Sequence, residues 1–330
     1  MKKHSMMTSK NEERVIDEIV IIDCEYIEKE FAASYLILNQ GRAAFIDNNT
    51  SHCVPRLMNA LRQNNISPEK VDFIIITHVH LDHAGGTSAL MAACPNAKLL
   101  AHPRAMRHMI DPSKLISSAQ KVYGASEFER LYGTISPIPE SRTQIIEDSA
   151  TLNWNGRLLD FLHTRGHANH HMCILDRSTG SLFSGDAFGL AYPALQSNEL
   201  FILPSTSPTD FDPQLAKQAI DRIVATNPQR ILLTHFGTVT EIQAAASQLK
   251  RHLDFSEILL EEATKASTLD GSILERYCTD KLTKYYSSIA SFTDAQWNLL
   301  KLDLSLNGSG IAYVAQKRRK QATEIEEQNR

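Results

Sequence analysis

The chain has 330 residues, 42 % of them hydrophobic and 22 % charged, with 34 basic against 38 acidic side chains and a formal net charge of -4. That is the balance of an ordinary globular protein, long enough for one large α/β unit with an appendage. No basic excess exists to draw it onto nucleic acid or anionic lipid, and five scattered cysteines (Cys24, Cys53, Cys94, Cys173 and Cys278) lack the spacing of a disulfide framework or a thiolate zinc site.

Residues 1–14 form a polar leader without the apolar core of a signal peptide, and no apolar run is long enough to span a bilayer. A cytoplasmic protein is therefore expected. VIDEIVIID, ASYLIL and RAAFID read as strands, then a turn at Asn48–Thr50 leads into a helix carrying Val54, Leu57, Met58 and Leu61 at helical spacing. VDFIIIT is a near-continuous apolar run, as expected of a strand buried on both faces, and it ends at Thr77. SALMAAC predicts a short helix and AKLLAH a strand. The stretch from Pro103 to about Tyr132 is mostly helical and long for a connection, which suits a cover over a cleft. Leu115, Ile116, Tyr123, Phe128 and Leu131 are its candidate lining residues, joined by the segment around Phe201 and the C-terminal helices.

TQIIE, ATLNW, RLLDFLH, MCILD and SLFSG are strands divided by turn sequences, and LAKQAIDRIVA is a helix before the strand RILLTH. From Thr238 onward the pattern is helical, with Asn307, Gly308 and Gly310 expected to break the last helix and the charged tail from Gln316 expected to fray. Two β-rich halves alternating with helices imply two sheets with helices outside, in a main domain over 15–250. Residues 251–330 would be a helical extension packed on it.

The chemistry concentrates in Thr77-His78-Val79-His80-Leu81-Asp82-His83, directly after the buried strand and before Gly85 and Gly86, which let the backbone bend away. Imidazole and carboxylate suit borderline divalent metals, and a loop anchored on a strand holds them rigidly. With 13 histidines in the chain, chance would give on the order of 0.02 occurrences of H-x-H-x-x-H. His167, Asp186 and His235 each follow a further strand, and the seven side chains suffice for two metals sharing a carboxylate. His4, His52, His102, His108, His163 and His252 lack partners at ligand spacing and read as surface or core residues; Cys173 reads as packing.

HVHLDH, TRGH, SGDA and THFG resemble, in order and spacing from Val15 to Gly237, the motifs of the metallo-β-lactamase superfamily. The resemblance implies an α+β, four-layer αββα sandwich. It further implies that His78, His80 and His167 bind one metal, that Asp82, His83 and His235 bind a second, and that Asp186 bridges them. Zinc is the first expectation and iron the second. Asp47 matches the aspartate that orients the metal loop, and His171 matches a supporting histidine. The chain departs from many hydrolytic members at Arg165 and Asn169-His170-His171, where those members carry proline and Pro-Gly-His. No role is assigned to His170.

Two metals sharing a carboxylate can activate a bridging water, with Asp82 placed to bond it or to pass a proton to the leaving group. The resemblance runs towards glyoxalase II-like, lactonase-like and quorum-signal thioesterase-like members, which implies a thioester, lactone or other carboxylic ester of a small molecule as substrate. Tyr192 is a candidate donor to an oxyanion. A nuclease of the same fold would need a basic groove, and Lys317-Arg318-Arg319-Lys320 reads as a solvated helix end. A di-iron protein binding oxygen or nitric oxide is the other alternative, disfavoured by the retained His80 and by the lack of a flavodoxin-like segment. No nucleic-acid or membrane partner is expected, and a homodimer is left open.

Overall fold

The computed structural model describes residues 14–196, 200–206 and 209–328. Seven strands, β1 (Arg14–Ile16), β2 (Ile19–Asp23), β3 (Ala33–Asn39), β4 (Arg42–Ile46), β5 (Val71–Ile75), β6 (Lys98–Ala101) and β7 (Thr143–Ile145), lie side by side in chain order in one sheet. Its first four strands pair antiparallel, and β4 to β7 pair parallel. The second sheet has the order β13 (Thr238–Val239), β12 (Arg230–Leu232), β11 (Ser181–Phe183), β10 (Met172–Asp176), β9 (Arg157–His163) and β8 (Thr151–Trp154), with β11 and β12 parallel. The strand expected over VIDEIVIID is a hairpin instead. Asp17 and Glu18 take φ of 48° and 65°, the left-handed pair that turns β1 tightly into β2.

Side-chain alternation builds the layers. Ile19, Ile21, Tyr35, Ile37, Ala44 and Ile46 face the second sheet and meet Leu159, Phe161, Ile174 and Leu182 in the main core. The intervening Val20, Ile22, Leu36, Ala43 and Phe45 face outward. There they pack with α1 (Val54–Gln63), α3 (Thr87–Ala93) and α4 (Pro103–Ile110). The short α2 (Leu81–Ala84) carries part of the histidine motif, while α5 (Ser113–Tyr123) and α6 (Ala125–Tyr132) complete the connection before β7. On the other side α7 (Pro213–Ala225), capped by Asp212 accepting from Leu215 N at 2.9 Å, covers the second sheet. The result is an α+β sandwich of two sheets between helical layers, with a C-terminal helical region.

That region is α8 (Ile242–Lys265), α9 (Gly271–Ile289) and α10 (Asp294–Gln328). It joins the main core through Leu253, Leu260, Leu274, Leu282, Leu300 and Ile311. The expected break near Asn307 is absent, because both residue types have other work there. A Cβ on Gly308 would stand 2.2 Å from Thr279 Oγ1, so glycine lets α10 lie close against α9. The helix also continues past Gln316 to Gln328, and Arg319 explains part of that order: its guanidinium donates to the carbonyls of Ala263 and Thr264 in the last turn of α8 and of Ala266 and Leu269 just after it. Among the described residues no helix is long and apolar enough to cross a membrane.

Of the expected lining residues, Leu115, Ile116, Phe128 and Leu131 form with Leu81, Ala119, Tyr132 and Ile135 a small cluster separate from the main core. The Tyr123 side chain lies outside the described residues, as does the leader through residue 13.

Candidate metal centre

The four motif residues follow β5, which is buried in the middle of its sheet, so their backbone is fixed by the neighbouring strands. His167 follows β9, Asp186 follows β11 and His235 follows β12, so the expected ligands meet at one edge of the sandwich. His167 Nε2 lies 3.2 Å from His78 Nε2 and 3.0 Å from His80 Nδ1. His235 Nε2 lies 3.2 Å from Asp82 Oδ2. Asp186 stands between these groups: Oδ1 is 3.2 Å from His83 Nε2 and 3.6 Å from His235 Nε2, and Oδ2 is 3.4 Å from His167 Nε2. Among the described residues three sets are spaced to hold a cation, His78–His80–His167, His78–His83–Asp186 and Asp82–His83–His235, with the candidate ligand atoms of each set within 4.8 Å of one another.

The donor set fits divalent cations. Asp186 Oδ1 and His83 Nε2 are buried 3.2 Å apart, and among the described residues neither has a well-formed hydrogen bond, a costly state that a cation between the two groups would relieve. Burial alone would raise the Asp82 carboxyl, but His83 and His235 hold it well below the usual carboxylate range. Burial lowers His80, with His167 adding to it, to about 3, which keeps that imidazole neutral and able to ligate. Against its burial, His83 is pushed well above the ordinary range by Asp186, Asp82 and Asp47, a concentration of negative charge that a cation would neutralise.

Asp47 organises the loop. It is fully buried, sits at φ 52° and accepts from Thr77 N at 2.8 Å, Thr77 Oγ1 at 2.9 Å, His83 Nδ1 at 2.8 Å and Thr234 Oγ1 at 2.9 Å. With its Nδ1 proton given to Asp47, His83 presents the Nε2 lone pair to the site. His171 holds Asp186: its Nδ1 lies 2.8 Å from Thr164 Oγ1 and its Nε2 accepts from Asp186 N at 3.2 Å. The Asp186 loop comes this close because Gly185, at φ +48°, has no Cβ; one would stand 2.6 Å from His171 Nε2.

Tyr192, expected as an oxyanion donor, is buried with its hydroxyl already donating to Asp303 Oδ1 at 3.2 Å. Asp303 itself, on α10, was not anticipated. Burial pushes its carboxyl up to about 7, His235 opposes that, and Asp186 and Asp82 add to it. The sequence reading gave no supporting role to Asn307, Thr77, Thr234, Thr164 or Ser205, although a signal existed for two of them: Thr77 and Thr234 each immediately precede an expected ligand histidine, and both hydroxyls bond Asp47. His170 packs its ring 5.7 Å from that of His80, and its Nδ1 is buried without a partner.

The family model described as "Metallo-beta-lactamase superfamily" matches residues 29–235, well over half of the chain. The chain belongs to this superfamily. A metallo-beta-lactamase fold-containing protein, ST1585 of Sulfurisphaera tokodaii, is 26 % identical over 194 residues, covering 58 % of this chain and 69 % of that protein. A hydroxyacylglutathione hydrolase of Aeromonas salmonicida is 29 % identical over 117 residues, which is 36 % of this chain and 33 % of the relative, so only a third of that enzyme's length is spanned. Among solved structures, the metallo-beta-lactamase family protein TTHA1429 of Thermus thermophilus superposes with a TM-score of 0.61 at 19 % identity, covering 93 % of this chain and 95 % of that one. A chemotaxis sensor, ODP, solved as a peroxy diiron species, shares the fold at a TM-score of 0.52 and 16 % identity over 72 % of this chain and 92 % of its own. The fold is therefore shared with proteins as different as an archaeal metallo-beta-lactamase fold-containing protein and a diiron chemotaxis sensor.

Proposed function

We propose that the chain is a dinuclear metallohydrolase that cleaves a carboxylic ester-type bond, a thioester, lactone or other acyl ester, of a small molecule. The observation that carries this is Asp186, whose two carboxylate oxygens face different histidine groups, Oδ1 towards His83 and His235 and Oδ2 towards His167. A carboxylate so divided is what a shared ligand of two cations requires. Zinc suits the imidazole-rich set best, with iron as the second choice. Two such cations would lower the pKa of a water held between them and polarise the acyl oxygen near neutral pH.

The chain's own groups do the remainder. Asp47, the Ser205 carbonyl and the Phe31 carbonyl take the Nδ1 protons of His83, His167 and His235, leaving each Nε2 lone pair aimed inward. Asp82 has a side chain 28 % exposed, against 6 % for Asp186, so it is the carboxylate of the site that can also reach a water or leaving group and move a proton. The hydroxyacylglutathione hydrolase relative supports an acyl thioester as the first substrate to try. A phosphodiester is disfavoured by the net charge of -4, and Arg319 of the basic cluster is committed to the end of α8. All five cysteines are free and buried, in keeping with a reducing, cytoplasmic setting.

The test is metal analysis of unstripped protein together with a panel of thioesters, lactones and phosphodiesters. Two bound cations and chelator-sensitive acyl hydrolysis are expected. Turnover confined to phosphodiesters, or protein without affinity for transition metals, would refute the reading.

A further inference from the structure

Helix α10 is hydrogen-bonded to two segments that lie against His167 and His235. Asn307 on α10 is only 3 % exposed. Its Nδ2 donates to Pro204 O at 2.9 Å, its Oδ1 accepts from Thr206 N at 2.7 Å, and its own carbonyl accepts from Thr206 Oγ1 at 3.1 Å. Those are the residues on either side of Ser205, whose carbonyl receives His167 Nδ1 at 3.3 Å. The same short segment is held from α8, where Gln248 Oε1 accepts from Ile202 N at 2.6 Å.

One turn earlier on α10, Asp303 accepts from the Tyr192 hydroxyl. The Tyr192 ring stacks on Phe31, with centroids 4.8 Å apart and planes 18° apart, and the Phe31 carbonyl receives His235 Nδ1 at 3.2 Å. Ala191, next to Tyr192, donates its N–H to the His235 carbonyl at 2.9 Å. Positions 303 and 307 share one helix face. A buried amide and a buried carboxyl among leucines are costly unless bonded, and the protein bonds of both go to segments that carry or touch a ligand histidine.

We propose that Asn307 and Asp303 are positioning residues through which α10 sets the tautomer and ring orientation of His167 and His235, one ligand from each cation group. The C-terminal helices are then a working part of the metal centre, although they lie outside the motifs. The inference rests on the proposed function only in taking these histidines as ligands.

The full-length chain is loaded with cobalt(II) and compared as wild type, Asn307→Ala, Asn307→Asp and Leu306→Ala, the last being 37 % exposed on the same helix. The readouts are the visible spectrum of the bound ion and its release to a chelator. Asn307→Ala should release metal about 10–100 times faster and alter the spectrum, the range seen when outer partners of metal ligands are removed. Asn307→Asp keeps the acceptor for Thr206 N but faces the Pro204 carbonyl with a carboxylate oxygen in place of a donor, so it too should release metal faster than wild type; it also carries the test if the alanine variant does not fold. Leu306→Ala should match wild type. Wild-type spectra and release rates in both Asn307 variants, and in Asp303→Ala made alongside them, would overturn the proposal. A wild-type chain that binds no cobalt would instead sink the metal reading beneath it.

Discussion

Replacing Asp47 separates its structural role from its role in ligand chemistry. In Asp47→Ala, the buried Thr77 N–H and His83 Nδ1–H lose their acceptor, while the hydroxyls of Thr77 and Thr234 can rotate elsewhere. Two fixed buried donors left bare cost about 1–3 kcal/mol each. A non-glycine residue other than Asp or Asn at φ 52° adds roughly 1–2 kcal/mol of backbone strain, so a loss of about 3–8 kcal/mol is expected. Asp47→Asn isolates the chemistry. The amide tolerates the same backbone and its oxygen can still accept from Thr77 N, but its NH2 now faces His83 Nδ1. That imidazole must then accept at Nδ1 and carry its proton at Nε2, which removes the lone pair aimed at the site. The expected outcome is modest destabilisation of metal-free protein in urea, with a 10–100-fold loss of affinity for one of the two cations in chelator competition. An Asp47→Asn protein that held both cations as tightly as wild type would refute the argument that this carboxylate fixes the His83 tautomer.

Two further outcomes are expected. His252, buried with Nε2 unpartnered and Nδ1 2.9 Å from the Tyr285 hydroxyl, is pushed down to about 4 by burial, with Arg251 adding to it. A histidine lowered on folding contributes stability that is fully present above its unfolded value near 6.5 and is lost as pH falls towards 4; the whole effect is about 3 kcal/mol. Urea unfolding of His252→Gln should therefore lose less stability than wild type between pH 6.5 and 4, and parallel pH curves would contradict this. Gly308→Ala would place a Cβ 2.8 Å from the backbone nitrogen of Thr279 and should lower stability by about 1–3 kcal/mol, read from the same unfolding curves.

The parts of the centre legible in the sequence were those where chemistry and secondary structure coincide. His78 to His83, His167, Asp186 and His235 each follow an apolar strand, so their convergence at one edge could be read from strand ends alone. Two β-rich halves alternating with helical stretches likewise carried the two-sheet layering. Less visible were features made by contacts distant in sequence. Asn307 and Gly308 look like helix breakers, and only the approach of α9 and of the Pro204–Thr206 segment shows why α10 tolerates them. Asp303 sits in an amphipathic pattern that reads as a solvated position, yet it is buried against Tyr192. The β1–β2 hairpin was hidden because Asp17-Glu18 is not a usual pair for a tight turn; Asp tolerates the left-handed region, and pairing on both sides imposes it on Glu18.

The proposed ligands come from different sheets: His78, His80, Asp82 and His83 from the first, His167, Asp186 and His235 from the second. A cation pair among them would rivet the sandwich shut along one rim, adding its binding free energy to the docking of the halves. At a free concentration a hundred times the dissociation constant, that is about 2.7 kcal/mol per site. Without metal, the same rim relies on Asp47 with Thr234, on Tyr35 with the Leu233 carbonyl, and on the apolar layer beneath. Metal starvation would then make the protein shorter-lived as well as idle.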